Sequence, residues 1–164
     1  VVVTACATNT RPSGSSKALG TAGDSPGLVG AWEPVEMTLA PGAVAHAGDR
    51  PGPTGLGLWI FTAHYYAVLS IHGTEPRPGV GIDPSHATAA ELLATWGPLG
   101  ANAGKYEVAD GVLTTYAIVA KNPEIMAPNS KATLAYRIQG DTLWMWSTGG
   151  RLGSGETIKY RRVE

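Results

Sequence analysis

The sequence predicts an all-β domain: an antiparallel up-and-down barrel of about eight strands, with one short helix at about residues 88–96. Three observations predict it. The 164 residues include 22 glycines and 12 prolines, a turn-rich composition that suits short strands better than helical bundles. Short stretches dense in Val, Ile, Leu, Tyr and Trp recur between those turns. Two of the connections, Asp110-Gly111 and Gly140-Asp141, are hairpin signals. Successive hairpins make a meander, and a meander of this size closes into a small barrel that holds one small ligand and leaves no free edge.

The first 27 residues stand apart from the barrel domain, which is read as 28–164. Val1-Val2-Val3-Thr4-Ala5-Cys6 reads as the apolar end of an export signal, and Val3-Thr4-Ala5-Cys6 resembles the lipobox of bacterial lipoproteins, where the cysteine thiol takes the lipid anchor. Residues 7–27 are rich in Ser, Gly, Thr, Ala and Pro and lack aromatics, the composition of a flexible tether. The expected location is exported, at the bacterial cell envelope through lipidated Cys6 or extracellular. A second expectation takes Val1, Val2, Val3 and Thr4 as strong β formers that pair with a sheet edge in a neighbouring subunit, giving self-association.

The strands follow in order. Residues 28–39 form the first, with Pro34 at an edge or a bulge because proline cannot donate to a ladder. After a loop at 40–57, strands 58–63 and 65–73 meet in a tight connection near His64. A Pro/Gly-rich loop covers 74–85. Thr88-Ala89-Ala90-Glu91 has capping-box spacing ahead of Leu92, Leu93 and Trp96, and Gly97 and Pro98 stop the helix. Strands 102–109 and 112–121 meet at Asp110-Gly111, strands 131–139 and 142–148 at Gly140-Asp141, and strand 156–163 follows a Gly-rich turn. Trp144 and Trp146 alternate with Leu143 and Met145, so one apolar pair faces outward whichever the phase. The helix, a partner subunit or the N-terminal segment is expected to cover that pair.

Several function classes lose their signatures. Twelve Lys and Arg against thirteen Asp and Glu, with 15% charged residues, make no basic footprint for nucleic acid. One cysteine allows no internal disulfide and no thiolate zinc cluster. His46, His64, His72 and His86 sit on different elements with no paired spacing, so no metal is expected. There is no GxSxG, GxxxxGK[ST] or strand-following GxGxxG motif, and no cofactor is expected. No apolar run approaches the roughly 18 residues of a membrane-spanning helix, so any membrane contact is through an anchor on Cys6.

Gly27-Leu28-Val29-Gly30-Ala31-Trp32 looks like the glycine-tryptophan opening of a lipocalin-like barrel. Further on, Leu58-Trp59-Ile60-Phe61-Thr62-Ala63-His64-Tyr65-Tyr66, Glu75-Pro76-Arg77-Pro78, Asn102-Ala103-Gly104-Lys105-Tyr106-Glu107-Val108, Ala120-Lys121-Asn122-Pro123 and Met126-Ala127-Pro128 resemble the bacterial lipocalin-like domain family of exported proteins. The resemblance covers about residues 28–148 and departs at Pro34. It implies a calycin-type barrel and the binding of small apolar molecules, without implying a reaction.

Within the family-like segments, Arg77, Tyr106, Lys121 and Asn122 are the polar candidates for ligand binding, because barrel mouths collect ligand-orienting groups. Arg77 or Lys121 would pair with an acidic head group, while Trp59, Tyr66, Tyr116, Tyr136 and Trp144 would supply apolar wall and hydroxyl contacts. Two other classes remain open. One is a structural subunit of an extracellular or cell-surface assembly that uses its N-terminal strand. The other is an isomerase, hydratase or cyclase acting on an apolar substrate, with His64 or His72 as proton carrier. The sequence does not fix which face of each strand points inward, and a one-residue slip inverts every assignment on a strand.

Overall fold

The computed structural model describes residues 27–40, 52–53, 56–73, 76–79, 81, 83–148 and 155–164. Residues 1–26, with the lipobox-like segment, Cys6 and the tether, lie outside the described residues, as does His46.

Among the described residues the elements are β1 (Gly30–Leu39), β2 (Gly52–Pro53), β3 (Gly57–Phe61), β4 (Tyr65–Ile71), α1 (Ala89–Trp96), β5 (Leu99–Ala109), β6 (Val112–Ala120), β7 (Ala132–Gln139), β8 (Thr142–Ser147) and β9 (Glu156–Arg162). Single 3-10 turns lie at Pro84–His86 and Pro123–Met126. From β3 to β9 each strand pairs antiparallel with the next in sequence, β1 pairs with β3, and β9 returns to β1 from Trp32↔Arg162 to Leu39↔Glu156. That last pairing closes an eight-strand antiparallel barrel of β1 and β3 to β9, and the two-residue β2 adds to β1 at Glu36 and Met37. The up-and-down order expected from the hairpins is the order observed.

Local chemistry explains the irregular points. The β1–β9 register shifts between Pro34 and Glu36, where a proline without an N–H leaves one extra residue in β1. Asp110 and Gly111 both have positive φ, 52° and 75°, which lets the β5–β6 connection close in two residues. A second bulge falls between Ala103 and Gly104, where β6 carries one extra residue, Ile118. The helix has both arms of its capping box: Glu91 N donates to Thr88 Oγ1 at 3.3 Å and Thr88 N donates to Glu91 Oε2 at 2.8 Å.

Burial and register together settle the strand phase. Trp32, Phe61, Tyr66, Val68, Tyr106, Leu113, Leu134, Leu143, Met145 and Tyr160 form one buried cluster with Leu28, and Trp59, Tyr136, Ile138 and Ile158 pack against it. Burying each large apolar side chain contributes about 1.5–3 kcal/mol, so this inward face is the main source of stability. On β8, Leu143 and Met145 point in, while Trp144 and Trp146 point out. Of the expected covers for that outer pair, the helix is the one the structure rules out. The helix is tied to the opposite part of the wall, between β4 and β5, and Trp144 is instead overlain by the Arg137 guanidinium at 4.3 Å.

Candidate ligand site in the barrel lumen

The two ends of the barrel differ. At one end lie the tight turns between β3 and β4, β5 and β6, and β7 and β8, together with the start of β1 and the end of β9. Trp32 closes this end. Its ring is fully buried, and Nε1 donates to Leu28 O at 2.8 Å. The Arg162 guanidinium lies 4.1 Å from the Trp32 ring centre, donates to Val29 O at 2.8 Å and to Gly27 O, and its Nε stands 3.7 Å from Asp141 Oδ1. Beside it, Tyr106 Oη donates to Thr62 O at 2.6 Å, fixing the β3–β4 turn to the wall. The other end carries the long connections, including α1 between β4 and β5 and the 3-10 turn between β6 and β7.

Between the two ends the inner wall changes character. Trp59 stacks on Phe61 at 5.4 Å and on Tyr66 at 5.8 Å. Complete burial pushes the Tyr160 hydroxyl far above the usual tyrosine range, so it stays a neutral phenol. Tyr66 Oη donates to Asn102 Oδ1 at 2.6 Å. Burial raises the Tyr66 hydroxyl too. The result is a hydrogen-bonded Tyr66–Asn102 pair on an aromatic wall, facing the end with the long connections, with Thr115 buried on the same inner face. The Asn102 amide NH₂ is the donor end of that pair.

The chain folds as an eight-strand antiparallel closed barrel. No family model matches the sequence, and no curated protein matches it. Among solved structures it is similar to a lipocalin-like protein from Bacteroides uniformis, with 13% identity over 82% of this chain and 97% of that one and a TM-score of 0.46. It is likewise similar to an uncharacterized protein from Bacteroides eggerthii, with 9% identity over 82% of this chain and 98% of that one and a TM-score of 0.46.

Of the residues singled out in the sequence, the barrel brings Trp59, Tyr66, Tyr106 and Tyr136 to the inner face. Tyr106 and Tyr136 belong to the half nearer the closed end, where Tyr136 N donates to Gly111 O in the β5–β6 turn. Two others lie on the outer face rather than at the lumen wall. Tyr116 is on the outer face, where its hydroxyl donates to Glu107 Oε2 at 3.2 Å, because Thr115 takes the inward position on β6. Trp144 is outward because Leu143 and Met145 fill the inward positions of β8.

Arg77 donates to Thr95 O at 3.2 Å, which ties its loop to α1, and Thr95 Oγ1 donates back to Pro78 O at 2.8 Å. Lys121 Nζ donates to Trp96 O, to Gly97 O at 3.0 Å and to Leu99 O at 2.8 Å, using all three ammonium protons at the C-terminus of α1. Asn122 caps the 3-10 turn, accepting from Glu124 N at 3.1 Å. These three residues hold the connections rather than presenting charge to the lumen.

His64 and His72 flank opposite ends of β4, about 27 Å apart at roughly 3.4 Å per residue, so they do not share one site. Both are exposed. Among the described residues no cluster of three or more His, Cys, Asp or Glu is placed to hold a metal, and no helix is long and apolar enough to cross a membrane.

Sequence reasoning missed Asn102, Thr115 and Tyr160. A usable signal existed for the first two. Once Asp110-Gly111 fixes the β5–β6 register, Tyr106 faces Thr115 across the pair, and counting back in twos along β5 leads to Asn102.

Proposed function

We propose that this barrel binds a small, largely apolar molecule in the lumen between the Trp59–Tyr66 wall and the end with the long connections. One observation carries the reading: the hydrogen-bonded Tyr66–Asn102 pair sits on the inner face beside stacked aromatic rings. Pockets for small molecules have this composition, an apolar wall with a few fixed polar groups that orient the guest. The closed end supplies a rigid floor, since Trp32 and Arg162 leave no passage for the ligand there.

A titration with the neutral apolar dye N-phenyl-1-naphthylamine tests this. The expected result is saturable one-to-one fluorescence enhancement with energy transfer from tryptophan. Ala132 lies opposite Thr115 in the β6–β7 pair and shares its inward face. In Ala132→Trp a large ring fills the lumen at that level, and the enhancement should fall to the level of free dye while the circular dichroism of the barrel is retained. Dye binding unchanged by that substitution would place the binding outside the lumen and overturn the reading.

A further inference from the structure

The outer face of β7, β8 and β9 carries a second set of groups, independent of the lumen. Register places Arg137, Trp144 and Lys159 in one row across the three strands, and Ala135, Trp146 and Thr157 in the next row on the same face. The Arg137 guanidinium lies over the Trp144 ring, which fixes its plane while the side chain stays exposed to water. Lys159 stands on the other side of Trp144, so the two cationic side chains are rooted about 10 Å apart, two strand spacings. Among the described residues neither takes part in an ion pair, although Glu36 lies opposite Lys159 on β1. Arg161, in the row beyond, is instead held by Glu33 at 2.7 Å. Trp146 is 37% exposed and lies roughly 6.8 Å along β8 from Trp144. Past it the same face continues in Thr133 and Thr148, whose hydroxyls are hydrogen-bonded at 3.1 Å.

We propose that this face is a binding site for an acidic carbohydrate, a sugar chain bearing carboxylate or sulfate groups. The C–H face of a pyranose packs flat on an exposed indole such as Trp146, and its hydroxyls reach the threonine hydroxyls beside that ring. Its anionic group meets Arg137 and Lys159, where charge-assisted hydrogen bonds form to cations that have no carboxylate of their own. Other partners fit this face less well. β8 is hydrogen-bonded to β7 on one side and to β9 on the other, so a peptide finds no strand edge to extend. A stable protein interface needs a buried apolar centre, and here one exposed ring stands among hydroxyls and charges. Two cations on a chain of net charge -1 are too few to follow a nucleic-acid backbone.

Four six-unit probes separate these cases by isothermal titration into the full chain at about pH 7 and low salt: hexagalacturonate, a κ-carrageenan hexasaccharide, maltohexaose and hexaglutamate. At least one of the two acidic sugars should bind saturably and at least about tenfold more tightly than maltohexaose or hexaglutamate, and the one that binds names the anionic group. Trp146→Ala and Arg137→Gln should each weaken that binding about tenfold or more, with the circular dichroism of the barrel retained as the control for folding. Maltohexaose binding as tightly as the acidic sugars overturns the role of the two cations. Hexaglutamate binding as tightly makes the face a general anion surface and overturns the assignment to sugar. No saturable binding of either acidic sugar up to millimolar concentration, or binding unaltered in both variants, overturns the site itself.

Discussion

Gly104 is where the backbone of β5 and the bulged backbone of β6 approach too closely for any side chain. A Cβ built at this position meets the Tyr116 carbonyl oxygen first, with the Tyr116 carbonyl carbon at 2.8 Å and the Ala117 Cα at 2.9 Å. All three are main-chain atoms of a hydrogen-bonded strand, so no rotamer change relieves the contact. Overpacking a well-ordered interior costs about 1–3 kcal/mol, and because both colliding partners are backbone, Gly104→Ala belongs at or above the top of that range, about 3 kcal/mol. Against a total stability of roughly 5–15 kcal/mol this is a large fraction.

For a domain of this size such a loss lowers Tm by about 6–12 °C and the urea midpoint by about 1 M or more. Thermal and urea unfolding of the two chains, followed by tryptophan fluorescence, measure it. Gly79→Ala is the matched control: a Cβ there meets nothing within 4 Å, and its stability should stay within about 0.5 kcal/mol of the parent. If Gly104→Ala unfolds within about 1 kcal/mol of the parent, the bulge that sets the phase of β5 and β6, and with it the inward placement of Asn102 and Thr115, is wrong.

Three further outcomes follow from the same structure. Trp32→Ala should cost about 3–5 kcal/mol, and a double-mutant cycle with Arg162→Met should show a coupling of at least about 0.5 kcal/mol, since each residue holds the other at the closed end. Additive losses would show that the stack is incidental. Burial raises Tyr66, Tyr106 and Tyr160, so the unfolded chain ionises first: stability is complete below the ordinary tyrosine value near pH 10 and is lost as pH rises toward the folded values, by up to about 1.4 kcal/mol per pH unit for each tyrosine. Absorbance at 295 nm should therefore show part of the tyrosinate signal appearing together with unfolding, and six tyrosines titrating near pH 10 in a folded barrel would contradict it. The bonds from the Thr88 hydroxyl and backbone hold the Glu91 carboxylate below its usual range, so the capping box contributes above the ordinary carboxylate value and is lost as pH falls through the depressed one. Acid-side NMR should show the Thr88 amide losing its downfield shift in that window, and in Glu91→Gln that pH dependence should be absent.

Much of the fold was legible in the sequence because its signals are local. Asp110-Gly111 demands positive φ at successive residues, Thr88 and Glu91 close a box across one turn, and Pro34 interrupts a ladder, and each of these acts on its own neighbourhood. The lumen was less legible because it depends on phase. Trp144 and Leu143 are both good β residues, and only the long-range pairing of β8 with β7 and β9 sends the tryptophan outward. Lys121 and Arg77 misled for a different reason. A cation near a strand end is equally suited to a ligand or to the exposed carbonyls of a helix C-terminus, and the closing carbonyls at Trp96, Gly97 and Leu99 lie more than twenty residues from Lys121 in the chain. Asn102 went unnoticed as one polar residue in a run of Ala and Gly, and it acquires a role only when β4 places Tyr66 beside it.

Non-denaturing mass spectrometry of the full chain purified from its own source reads directly whether the lumen holds a small molecule. The expected spectrum shows a chain carrying an adduct of a few hundred daltons, on the scale of a pocket ligand, that is lost on denaturation. A bare chain that also fails to take up any apolar probe, its lumen filled by its own side chains, would contradict it.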